Sequence, residues 1–124
     1  MSADRHLPEK YDVLAPDGSE VRILARTSRG SMAHFKLHPG QVSTAVAHHS
    51  VEEIWYVLSG RGQMWRKSDG AETITELSAG LSLTISTSTH FQFRCIGDEA
   101  LQAVAITMPP WSGMDEAYVV KGHW

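Results

Sequence analysis

The sequence predicts an all-β domain, a sandwich or barrel, on three observations. Turn signals recur about every ten residues: Pro16-Asp17-Gly18, Arg29-Gly30, Pro39-Gly40, Gly60-Arg61-Gly62, Ser68-Asp69-Gly70, Ala79-Gly80, Gly97-Asp98 and Pro109-Pro110. Between them lie short segments rich in Val, Ile, Thr, Leu and aromatic residues. No stretch carries a convincing helical pattern. With 124 residues the chain has the length of one domain.

The expected strands run over 21–25, 32–37, 42–48, 54–58, 63–67, 73–77, 81–85, 90–96 and 101–107. The stretch around 44–55 lacks Gly and Pro, so a helix there is the alternative, but Val42, Val46, Val51 and Ile54 favour strands. Strand alternation sorts side chains by face. Val42, Thr44, Val46 and His48 share a face; Glu53, Trp55 and Val57 oppose Ile54, Tyr56 and Leu58. Leu81, Leu83 and Ile85 oppose Ser82, Thr84 and Ser86, and His90, Gln92 and Arg94 oppose Phe91, Phe93 and Cys95. Strands apolar on both faces predict cover on both, from a second sheet and from another layer or subunit.

Composition narrows the function classes. Eleven Lys+Arg against fourteen Asp+Glu give a formal charge of −3, which argues against nucleic acid or an anionic membrane as the main partner. One cysteine, Cys95, excludes an intrachain disulfide and a cysteine-built zinc cluster. The start, residues 1–10, is polar, and no apolar run approaches a membrane span or a secretory core. A cytoplasmic location is expected. No Ser-His-Asp arrangement, phosphate loop or dinucleotide fingerprint is visible.

Two spacings carry chemistry. Gly40, five residues, Val46-Ala47-His48, four residues, Glu53, six residues, Gly60 form the first; Gly80 followed by His90 forms the second. With these residues, the stretch 32–107 resembles the cupin superfamily, whose first motif has His-x-His where this chain has Val46-Ala47-His48. Ser86 and Ser88 stand where Pro and Gly are usual, and Cys95 where Asn is common. The resemblance implies a double-stranded β-helix or jelly-roll barrel of two antiparallel sheets: a single domain over 1–124, with a barrel core over about 20–107 and a C-terminal arm over 108–124.

The resemblance also implies a divalent metal site at His48, Glu53 and His90. Two imidazoles and a carboxylate suit Fe(II), Mn(II), Ni(II) or Zn(II) with open positions for substrate. The function it implies is small-molecule binding at that metal, with oxygenation, isomerisation or decarboxylation of a polar metabolite as compatible reactions. The alternative is a non-catalytic ligand-binding module, for a sugar among others, that lacks metal because Val46 replaces a customary ligand. Two His beside two Glu at a turn are also what a solvated hairpin end looks like. His49 and Glu52 are candidates only if a bulge turns them inward.

Four further residues are expected at the ligand: Gln92, Trp55, Trp65 and His34, the last either lining the barrel or on the surface. Arg94 is expected near a strand end at the surface. The Pro-Pro-Trp stretch at 109–111 begins the arm, with Trp111 as an anchor. Two-faced apolar strands and this arm predict a homodimer.

Overall fold

The computed structural model describes residues 4–124. Eleven strands follow in order: β1 Val13–Leu14, β2 Glu20–Arg26, β3 Ser31–Leu37, β4 Val46–His48, β5 Glu52–Ser59, β6 Gly62–Ser68, β7 Ala71–Leu77, β8 Ser82–Ile85, β9 His90–Cys95, β10 Leu101–Met108 and β11 Ala117–Val119. One 3-10 turn, Met114–Glu116, precedes β11. Each of the nine expected strands overlaps one of β2 to β10. The segment expected at 42–48 is shorter, because Val42 makes only an isolated bridge to Arg94. No helix forms over 44–55, which is divided between β4, a turn and β5. None of the described helices is long and apolar enough to cross a membrane.

The strands form two antiparallel sheets, ordered β1-β2-β3-β10-β5-β8 and β11-β4-β9-β6-β7. The expected closed barrel is therefore corrected to two facing sheets. Closure needs an edge strand of one sheet to pair with an edge of the other. Three of the four edges are only two (β1), four (β8) and three (β11) residues long, and each pairs within its own sheet.

Period-two alternation builds the interior. Trp55 and Val57 of β5 and Ala103 and Ala105 of β10 point in from the first sheet; Met64 of β6 and Phe91, Phe93 and Cys95 of β9 point in from the second. Phe35 stacks on Trp55 with ring centroids 5.2 Å apart, and Phe93 meets the same indole edge-on at 5.0 Å. Burial of each such large side chain stabilises the fold by about 1.5–3 kcal/mol, so inward strand faces are reserved for apolar groups.

The outer faces are partly covered by the chain ends. Arg22 of β2 donates through Nε to Pro8 O (2.9 Å) and through a terminal nitrogen to Glu9 O (2.7 Å), holding the N-terminal segment against the first sheet. On the second sheet, Gln92 Oε1 accepts the backbone N–H groups of His123 (2.8 Å) and Trp124 (3.0 Å). The arm expected over 108–124 thus includes a strand, since β11 pairs with β4.

Gly60 sits between β5 and β6 at φ 82, where an added Cβ would lie 2.7 Å from Leu101 Cα and closer still to Ala100 O. Gly70, at φ 79, has open space around the same position. Gly70→Ala is expected to cost about 1 kcal/mol, from backbone strain alone. Gly60→Ala adds a clash with backbone and is expected to cost about 3 kcal/mol or more. Denaturant melts of the two variants check this difference.

Candidate ligand cavity and its polar pair

A cavity of about 180 Å³ opens between the two sheets. Val21 and Ile23 of β2, Phe35 of β3, Trp55 of β5, and Val46 and Phe91 of the second sheet line it, with Trp111 and Met114 of the C-terminal segment at its edge. The lining is mostly apolar, and its charged or titratable members are Asp17, Arg26, His48 and Glu53.

His48 ends β4 and Glu53 is the second residue of β5, so the turn between them aims both side chains inward. Each is 4% exposed, and His48 Nδ1 lies 3.1 Å from Glu53 Oε2. The contact is off the line that a good N–H···O bond needs, leaving Nδ1 without an aligned partner. Glu53 Oε1 accepts the Trp55 Nε1–H at 3.0 Å. Phe91 and Trp111 meet the His48 ring edge-on, at 5.2 and 5.4 Å.

The turn is pinned from the C-terminal segment. Glu116 accepts the backbone N–H groups of Ser50 (2.6 Å) and Val51 (2.8 Å), and the Ser50 hydroxyl donates to the same carboxylate. The His49 N–H donates to Glu116 O at 2.8 Å. Burial alone would raise the Glu116 pKa, but these hydrogen bonds outweigh it and hold the carboxyl below its ordinary value. Sequence reasoning missed Glu116, because a lone acid in a one-turn helix carries no motif.

Burial acts on the pair in opposite directions. It pushes Glu53 up to about 8; the Trp55 hydrogen bond offsets part of this, and the nearby Asp17 adds to it. It pulls His48 down to about 4, with Glu116 opposing. Both shifts favour the uncharged form, because neither charge recovers in a dry interior the hydration it gives up. Asp17 is also raised by burial, while the Ser19 N–H (2.9 Å) and hydroxyl (2.6 Å) donate to Oδ1 and oppose the shift.

Of the residues expected at the site, His48, Glu53 and Trp55 meet at this cavity; the others lie elsewhere. His90 is paired across the ladder with Lys67, on the face of β9 opposite Phe91. Phe91, Phe93 and Cys95 take the inner face, so alternation turns His90 outward, and the inward position beside His48 belongs to Phe91. Gln92 and Trp65 share that outer face. Gln92 also donates to Ser43 O (2.9 Å), while Trp65 stacks on His123 at 6.0 Å and donates to Glu72 Oε1 at 2.8 Å. His34 is 1% exposed on the outer face of the first sheet, with Nε2 2.9 Å from Gln102 Oε1. His49 meets Tyr118 at a tilt, with ring centroids 4.5 Å apart, and Glu52 is exposed, so no bulge brings either inward. Arg94 reaches Gln63 Oε1 and lies over the Trp124 ring at 4.3 Å.

This donor set does not fit a divalent metal. Among the described residues no three His, Cys, Asp or Glu side chains converge. Val46 and Phe91, cross-strand partners in β4 and β9, fill the inward positions next to His48 with apolar groups.

Two facing antiparallel sheets set the fold, and the sequence gives the family. Residues 33–107 match the cupin domain family, and the chain belongs to it. An uncharacterized protein of Methanocaldococcus jannaschii is 28% identical over 115 residues, covering 86% of this chain and 89% of that one. A Klebsiella pneumoniae protein with a double-stranded β-helix domain superposes with TM-score 0.70 at 17% identity, over 96% of this chain and 91% of that one. Oxalate decarboxylase of Lactobacillus farciminis superposes with TM-score 0.72 at 19% identity, over 82% of this chain but 31% of that one. The capsular polysaccharide assembling protein CapF of Staphylococcus aureus gives 0.74 at 15% identity, over 93% and 35%. At these identities the superpositions show the fold alone.

The two shifts predict a pH signature. Glu53 binds a proton in the folded chain up to about pH 8 but in the unfolded chain only to about 4.5, so it makes stability fall as pH rises through that window. His48 acts oppositely between about 4 and 6.5, where the unfolded chain takes up the proton first. The two slopes oppose each other at the acid side; above pH 6.5 His48 no longer contributes, and the falling slope comes from Glu53, with the buried Asp17 carboxyl, also raised by burial, acting in the same direction. Unfolding free energy should therefore fall by on the order of 1 kcal/mol per pH unit from neutrality toward pH 8. In Glu53→Gln that slope should become clearly shallower, and in Glu53→Gln/Asp17→Asn shallower still, as chemical denaturation at a series of pH values will show.

Proposed function

We infer that the protein is a small-molecule-binding cupin whose ligand enters the cavity between the sheets, and that it binds without a metal. One observation carries this reading: a largely apolar cavity has a buried His48–Glu53 pair in its wall and apolar Val46 and Phe91 in the neighbouring inward positions. Few-membered polar groups on an apolar concave wall are the usual anatomy of a small-molecule site. The metal-centred reading, with its oxygenase, isomerase or decarboxylase chemistry, needs a third ligand that His90 does not supply from the outer face of β9.

A second reading has its own support. A carboxyl held protonated 3.1 Å from an imidazole held neutral is suited to passing a proton to and from a bound molecule. On this reading the cavity would be an active site for metal-free acid–base chemistry.

Metal binding distinguishes these readings from the metal-centred one. Wild-type protein dialysed against Mn(II), Fe(II) or Zn(II) should retain less than a tenth of an equivalent. The double substitution Val46→His and Phe91→His adds two imidazoles to the same inner positions and should raise retention toward one equivalent. Melting curves of the variant separate a lost fold from a lost site. Stoichiometric metal in the wild type, abolished by both His48→Ala and Glu53→Ala, would restore the metal-centred reading.

Assembly and location belong to the same proposal. Ile54, Tyr56 and Ile106 project from the outer face of the first sheet at 43%, 48% and 38% exposure, an apolar stripe suited to a second copy of the chain. Light scattering at micromolar concentration should give twice the chain mass. Ile54→Lys should reduce it to a monomer whose circular dichroism spectrum at low temperature is unchanged. Cys95 is buried and unpaired, which agrees with a reducing compartment such as the cytoplasm.

A further inference from the structure

The geometry points to a ligand class for this cavity: an uncharged molecule about the size of one substituted aromatic ring, carrying a single hydrogen-bonding oxygen. The inference rests on the cavity reading above and adds size, shape and charge to it.

Size comes from volume. An apolar cavity of about 150 Å³ in another protein takes benzene, so about 180 Å³ here leaves room for one ring and a short polar substituent. Shape comes from the walls. Phe35 and Trp55 line the space as a parallel stacked pair with planes 7° apart, an aromatic wall with little polar surface. Phe91 and Trp111 stand edge-on to His48 and bound the same space. Such faces favour a flat apolar guest.

Charge selection follows from the titratable groups that face the space: Asp17, Glu53, His48 and Arg26. Asp17, Glu53 and His48 are buried, and Arg26 is exposed. An anion pushed into the cavity would lose its hydration beside two carboxyl groups and meet no buried cation. This holds whether or not those carboxyls carry their protons. Arg26 offers it only an exposed ion pair, which is weak in water. A cation fares no better at Glu53, where Trp55 Nε1 occupies one oxygen and His48 Nδ1 lies 3.1 Å from the other. A hydroxyl or carbonyl oxygen brings no charge to bury, and the polar edge of His48 and Glu53 can satisfy it.

Three probes with the same ring separate these terms: benzyl alcohol, benzoate and benzylammonium, titrated at pH 7 into the full chain. The indole N–H signals of Trp55 and Trp111 report the cavity, and those of Trp65 and Trp124 report the outer face of the second sheet. Benzyl alcohol should shift the first two signals saturably, leave the others in position, and bind at least tenfold more tightly than either charged probe. Benzoate or benzylammonium binding as tightly as the alcohol, with the same two signals moving, would overturn the ligand class while leaving the cavity reading intact. No saturable shift of Trp55 or Trp111 with any of the three would overturn both.

Discussion

Burying a carboxyl beside an imidazole, in a largely apolar setting, is the constraint around which this cupin is arranged. Glu53 and His48 occupy inward positions of adjacent sheets' strands that an ordinary sandwich would give to Val or Leu. Ionised, each would lose hydration that the interior does not replace, so burial drives both toward neutrality. Trp55 contributes one hydrogen bond to the carboxyl, and Phe91 and Trp111 enclose the ring. The consequence is a polar pair that can meet a ligand without presenting a fixed charge to it.

The C-terminal segment links this interior to the outside of the second sheet. Trp111 bounds the cavity, Glu116 fixes the turn that orients His48 and Glu53, and β11 extends β4. Gln92 then clasps the backbone at His123 and Trp124 from the opposite face. Gly122 belongs to this clasp, since an added Cβ there would meet Gln92 Oε1 at 2.6 Å. The positions of the site residues thus depend on a segment whose sequence shows neither strand alternation nor a binding motif.

What the sequence revealed follows from how local each signal is. Nine strands were legible because alternation and turn residues act over a few neighbours. β1 and β11, at two and three residues, are too short to show a period. Whether the sheets close depends on which edges meet, a non-local matter that no turn encodes. His48 and Glu53 were picked out by the resemblance to the cupin motif, and the fold brings both to the cavity wall. His90 was expected at the site from the motif resemblance, whereas alternation gives the inner face of β9 to Phe91, Phe93 and Cys95 and turns His90 to the other face. Gln92, Trp65 and His34 are polar or aromatic and largely buried, yet they serve outer faces covered by the chain ends. Only the folded arrangement of those ends reveals such cover.

The central claim is that burial keeps His48 and Glu53 uncharged near neutral pH. Site-resolved NMR titration of the His48 ring nitrogens and the Glu53 side-chain carboxyl carbon reads it directly. The account predicts a carboxyl that ionises near pH 8 and an imidazole that stays neutral until the pH falls to about 4. An imidazole titrating near 6.5 beside a carboxyl already ionised above 4.5 would contradict it.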